Sequence, residues 1–206
     1  MKAWRFYAFG DMRLDDIELG NCPPDHVLVQ PMVVQPSVTE AQLAFGIPTL
    51  AYENIKGRLE NDAPIQLFGH EFCARILEVG SAVTGYAPGD RVAARAKLPC
   101  GDCAMCNSER GNDCRRGPII GFQLPGCFSE RALLPAVSLV KVDDRISASE
   151  AATLQSLSDS IAGVETAQIR PGESVAVFGQ GSRGIESMQA ARACGAGQLI
   201  TVDVRD

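Results

Sequence analysis

Apolar and polar residues alternate over 2–7, 12–17 and 27–34, with the turn Pro23-Pro24-Asp25 before the last segment. A period of two places successive side chains on opposite faces, so each segment predicts a half-buried strand. Residues 38–45 predict a short helix, 46–48 a loop, and the charged run 53–62 a surface segment. A further strand pattern fills 67–80, entered through Gly69, and Pro88-Gly89-Asp90 is a turn into the next strand. Short β segments return over 117–142, broken by Gly121, Pro125, Gly126 and Pro135. The texture then changes. Residues 149–168 predict a helix with Ser147 or Ser149 as its cap. The continuous apolar run 174–178 predicts a strand buried in a parallel sheet, followed by a glycine turn, a helix to Cys194 and a second strand over 198–202. The pattern therefore predicts a mixed fold, with a β-rich, barrel-like domain over 1–148 and an α/β unit over 149–206.

Composition adds limits rather than detail. With 206 residues, 46% of them hydrophobic and 21% charged, the chain can bury a core without covalent staples. The net charge of −6 and the scattering of 19 Lys and Arg leave no basic stripe for a phosphate backbone, so nucleic acid is not an expected partner. Nor is a membrane, because no stretch approaches the roughly 20 apolar residues of a spanning helix. No secretory signal pattern opens the chain, and a cytoplasmic location is the expectation.

Four of the eight cysteines crowd one segment, Cys100, Cys103, Cys106 and Cys114, separated by two, two and seven small or polar residues. Thiolates at such spacing are the usual ligands of a closed, tetrahedral structural zinc. Disulfides and an iron–sulfur cluster are the alternatives. The first suits an oxidising compartment, and the second places Pro after its last cysteine, where this chain has Arg115. Cys22, Cys73, Cys127 and Cys194 are dispersed and default to inert thiols.

Gly179-Gln180-Gly181-Ser182-Arg183-Gly184 lies between the apolar strand and its helix, with Asp203 at the tip of the next strand. In that context Gly179 permits a tight turn, Gly181 lets a pyrophosphate approach a helix N-terminus, and Gly184 lets helix and strand pack closely. Asp203 is suited to the adenosine ribose hydroxyls and disfavours a 2′-phosphate. NAD is thus expected over NADP, a preference that the neighbouring Arg205 weakens.

Gly69-His70-Glu71, the cysteine lobe over 97–116 and the glycine motif stand in one order behind a β-rich start. Together they resemble the medium-chain dehydrogenase/reductase superfamily, in its zinc-dependent alcohol dehydrogenase branch. The resemblance implies a GroES-like catalytic domain over 1–148, the N-terminal part of a Rossmann domain over 149–206, and a structural zinc in the lobe. It also implies a second zinc in the cleft that activates an alcohol or carbonyl oxygen while hydride passes to or from nicotinamide. His70 then matches the family's ligand histidine and Glu71 its neighbouring carboxylate.

The departures from that pattern shape the expectation. Ser37 stands where the family carries a thiolate ligand, and Gln155 where it carries Cys, Asp or Glu. Thr39 matches the hydroxyl that begins the family's proton relay, while Gln42 replaces a histidine found in some members. The second zinc should bind less tightly with two neutral positions. The chain is also short for the superfamily and is expected to be a fragment or a shortened form. The functional expectation is an NAD-dependent oxidoreductase for a small alcohol or carbonyl substrate, in an oligomer by analogy. The alternatives are a silent zinc-binding assembly module and a metal-free NAD(P)H-dependent reductase.

Overall fold

The computed structural model describes residues 1–206 except Ala96, Glu109 and Asp206. The chain divides into two compact units, Met1–Ala152 and Thr153–Asp206.

Antiparallel strands dominate the first unit. Strands β1 (Lys2–Ala8) and β2 (Asp11–Asp16) form a hairpin through Gly10, whose φ of +81° only glycine adopts readily. The long strand β3 (His26–Gln35) follows, with Val27 and Val29 buried. Helix α1 (Val38–Ala44) and helix α2 (Tyr52–Asp62) come next, then the short β4 (Ile65–Gln66), β5 (Glu71–Val79) and β6 (Arg91–Ala94). After the cysteine lobe, which holds the one-turn α3 (Ala104–Asn107), come β7 (Ala132–Pro135), β8 (Leu139–Lys141) and α4 (Ala148–Ala152). The strands assemble as a five-stranded sheet in the order β7-β3-β5-β6-β8 and a three-stranded sheet in the order β2-β1-β4.

One core of the unit lies on the larger sheet, where Val27, Val29, Phe72, Ala74, Ile76, Val92 and Leu134 pack together. The other gathers Phe6, Leu43, Ile55, Ile65, Leu67, Phe68 and Phe122 from the smaller sheet and the helices. The charged run 53–62, expected as a plain surface segment, is instead most of α2. Its outward face is polar, and Ile55 anchors it in the second core. Tyr52, Ile55 and Leu59, at helical spacing, all pack on that core, a narrow stripe set among charged residues.

In the second unit, helix α5 (Leu154–Thr166) leads to β9 (Ser174–Phe178), α6 (Ser182–Ala193) and β10 (Gln198–Val202). The helix expected over 149–168 is thus two helices, α4 and α5, separated at Thr153. Strands β9 and β10 pair in parallel, Ser174 beside Gln198 through Phe178 beside Val202. Val164, Ala190, Ala191 and Ala196 form the core against Val175 and Leu199. The apolar run 174–178 was expected to be buried on both faces, yet it alternates. Phe178 is 77% exposed, and Ile200 and Val202 also face outward. The helices pack on one face of this two-stranded sheet, and the pleat sends every second side chain to the other.

Candidate functional site

Register brings the first set of candidate residues together. Strands β3 and β5 run antiparallel with Gln35 opposite Glu71, so the chain leaves β3 beside the point where it enters β5. Just past Gln35, Ser37 caps α1: its Oγ accepts from the Glu40 amide at 3.1 Å, and its own amide donates to Glu40 Oε2 at 2.9 Å. This reciprocal pair is a capping box, which fixes the rotamer of the glutamate as well as the start of the helix.

The other oxygen of Glu40 reaches across to the strand entry. Oε1 accepts from the Gly69 amide at 2.7 Å and contacts His70 Nδ1 at 2.7 Å. Both side chains are buried, Glu40 2% and His70 8% exposed, with the imidazole against the Phe122 ring. Burial favours the neutral form of Glu40, but the His70 imidazole and the amides of Ser37 and Gly69 outweigh it and hold the carboxyl below its ordinary range. An ionised carboxylate only accepts, so Nδ1 carries the hydrogen and Nε2 is the outward nitrogen. Glu71 Oε1 lies 3.6 Å from Nε2, and Gln35 Nε2 donates to Glu71 Oε2 at 2.5 Å.

The backbone before His70 is built for this approach. Phe68 and Gly69 both have positive φ, +64° and +79°, and a Cβ on Gly69 would lie 2.7 Å from the Cys127 amide nitrogen. Only glycine fits there. Thr39 lies half-buried in the first turn of α1, beside Glu40.

The cysteine lobe places its four sulfurs within 4.8 Å of one another. The separations are 3.5 Å for Cys103 and Cys106, 3.8 Å for Cys103 and Cys114, and 3.9 Å for Cys100 and Cys106. A tetrahedron with Zn–S bonds of about 2.3 Å has edges of about 3.8 Å, so the four fit one zinc ion. A disulfide needs about 2.0 Å, and all eight cysteines are free. The Cys100 amide donates to Cys114 Sγ at 3.3 Å and holds that thiol down at about 6, while the Asp102 carboxylate beside Cys100 pushes its thiol up to about 12. Among the described residues this is the cluster of three or more Cys, His, Asp or Glu donors that could hold a metal.

In the second unit the glycine motif takes its expected conformation. Gly181 is the N-cap of α6, and a Cβ on it would meet nothing within 4 Å, which leaves the approach to the helix N-terminus open. Gly184 is the reverse case: a Cβ there would lie 1.8 Å from the Gly179 carbonyl oxygen. Asp203 Oδ2 accepts from the Gln180 amide at 2.5 Å, so the acid and the loop are joined. That amide holds the Asp203 carboxyl below its usual range. Gln155, at the start of α5, donates through Nε2 to Asp159 at 3.2 Å, and its Oε1 is buried without a partner.

A model of the alcohol dehydrogenase GroES-like domain matches residues 24–144, more than half of the chain. The chain belongs to the zinc-dependent alcohol dehydrogenase branch of the medium-chain dehydrogenases. It is 32% identical over 148 residues to an L-threonine 3-dehydrogenase of Francisella tularensis subsp. novicida, a match covering 71% of this chain and 42% of that protein. It is also similar to a protein from Sinorhizobium meliloti described as a zinc-binding dehydrogenase and bound to NADP, with a TM-score of 0.83 at 29% identity over 97% of this chain and 55% of that one. An alcohol dehydrogenase from Thermus sp. ATN1 gives 0.81 at 27% identity, over 98% and 57%. The chain spans under half the length of the curated relative.

In this member of the family the first unit links Ser37, through Glu40, to His70 and Glu71, leaves Thr39 beside Glu40 in α1, and gathers the cysteines in the lobe. The second unit joins the glycines to Asp203. Two residues that sequence reading passed over complete the histidine site, Glu40 and Gln35. The signal for Glu40 was present, since Ser-x-x-Glu before an apolar helix is the capping-box pattern. Gln35 depends on strand register, which no local pattern carries.

Proposed function

We propose that this protein is an NAD(P)-dependent oxidoreductase that moves hydride between nicotinamide and the carbon of a small alcohol or carbonyl compound. The observation that carries the reading is the presence, in one chain, of a GroES-like unit with a closed Cys₄ lobe and an open-approach glycine loop joined to its acid. A silent assembly module has no use for Gly181 and Asp203 in this arrangement.

Each part has its own task. Cys100, Cys103, Cys106 and Cys114 hold a structural zinc, which ties together a lobe of little regular structure. The amides at the start of α6 face the dinucleotide pyrophosphate, and the space at Gly181 lets it come close. Asp203 receives the adenosine ribose hydroxyls. Its charge favours NAD over a cofactor with a 2′-phosphate. Bound nicotinamide supplies or accepts the hydride. Around the substrate oxygen the chain offers the His70 imidazole, oriented by Glu40, and the Thr39 hydroxyl as the first member of a proton path. Among the described residues no helix is long and apolar enough to cross a membrane.

The test is a titration of the full chain with NADH and NADPH, followed nicotinamide fluorescence, and then turnover of a panel of secondary alcohols and ketones. Saturable binding with NADH ahead of NADPH, and oxidation of bound NADH by at least one ketone, is the expected result. Nucleotide binding that is absent, or unchanged by Gly184→Val, contradicts it.

A further inference from the structure

The family pattern implies a second zinc at His70 and Glu71, and the donor set decides how that site behaves. Nε2 and Oε1 stand 3.6 Å apart, a separation that two ligands about 2.1 Å from one ion can span. An imidazole and one carboxylate are two of the three protein donors that a catalytic zinc takes, so retention depends on a third ligand. Position 37 is where the chain could supply it. Ser37 carries a hydroxyl that stays protonated near neutral pH, and its oxygen already accepts the Glu40 amide as the cap of α1. The carboxylate that might have compensated, Glu40, has both oxygens committed, one to the Ser37 amide and one to Gly69 and His70.

We propose that this chain keeps zinc in the Cys₄ lobe alone, and that Ser37, locked in the capping box with Glu40, is the residue that denies the His70–Glu71 site a retained ion. His70 is then held in place by its carboxylate rather than by a metal. This reading rests on the function proposed above and deepens it, since it sets which part of the site can act on the substrate oxygen.

The experiment counts zinc per chain by mass spectrometry on full-length protein dialysed against a weak chelator. Wild type and His70→Ala are expected to hold the same number. Ser37→Cys is expected to gain one ion, and Ser37→Cys/His70→Ala to lose that ion again. Since Cys is a poorer cap, Ser37→Asp is prepared beside it: aspartate caps helices well and adds an anionic oxygen, so it should gain an ion even where the Cys variant fails to fold. A wild-type count that falls by one in His70→Ala overturns the proposal. So does a folded Cys or Asp variant with no gain. A Cys103→Ser variant separates the two readings: if it holds as much zinc as wild type, the lobe is not a zinc site and the proposed function loses that support, whatever position 37 does.

Discussion

Glu40 is the residue on which the histidine site turns. One carboxylate closes the cap of α1, receives the Gly69 amide and fixes the His70 tautomer, all at 2% exposure. Glu40→Ala removes one partner of a buried pair and is expected to cost about 3 kcal/mol or more, read from chemical denaturation midpoints at unchanged slope. Glu40→Gln keeps the shape and part of the hydrogen bonding, and is expected to cost about half as much. Equal losses for the two would mean that charge is irrelevant there. Much of this site was legible in the sequence. His70 and Glu71 stand in a motif, and Ser37 and Thr39 were singled out through the family resemblance alone, whereas Gln35 entered through the pairing of residues 36 apart.

Elements show where local pattern succeeds and where it stops. Alternation located β1, β2 and β3 within a residue or two, whereas the pattern read over 67–80 begins four residues before β5, because Leu67 to His70 are buried without being strand. It missed α2, whose narrow stripe of Tyr52, Ile55 and Leu59 lies among charged residues. It also overstated the burial of β9, since an apolar run says nothing about how many layers cover a sheet. That difference is measurable. Phe178→Ser is expected to change the stability of this chain by less than about 0.5 kcal/mol, as for an exposed position. A strand buried on both faces would lose about 3 kcal/mol or more on the same change. In the loop that follows, Gly184→Ala places a Cβ 1.8 Å from a backbone oxygen. It should weaken dinucleotide binding at least tenfold, whereas Gly181→Ala, with open space around it, should fold normally and act through the bound phosphate alone.

At the scale of the molecule, two units with separate cores each carry their own candidate residues. The first holds the cysteine lobe and the histidine site, the second the glycine loop. The lobe contains little regular structure beyond α3, so its order should depend on the ion. Removing zinc with a strong chelator is expected to abolish hydrogen-exchange protection over 97–118 while β3 and β5 stay protected. The most direct test of the account is X-ray absorption at the zinc edge on the purified full chain. It predicts a single shell of four sulfurs at about 2.3 Å, the signature of a closed thiolate site. A shell mixed with nitrogen or oxygen would contradict the proposal that zinc sits in the Cys₄ lobe alone, and protein without zinc would contradict the assignment of the lobe itself.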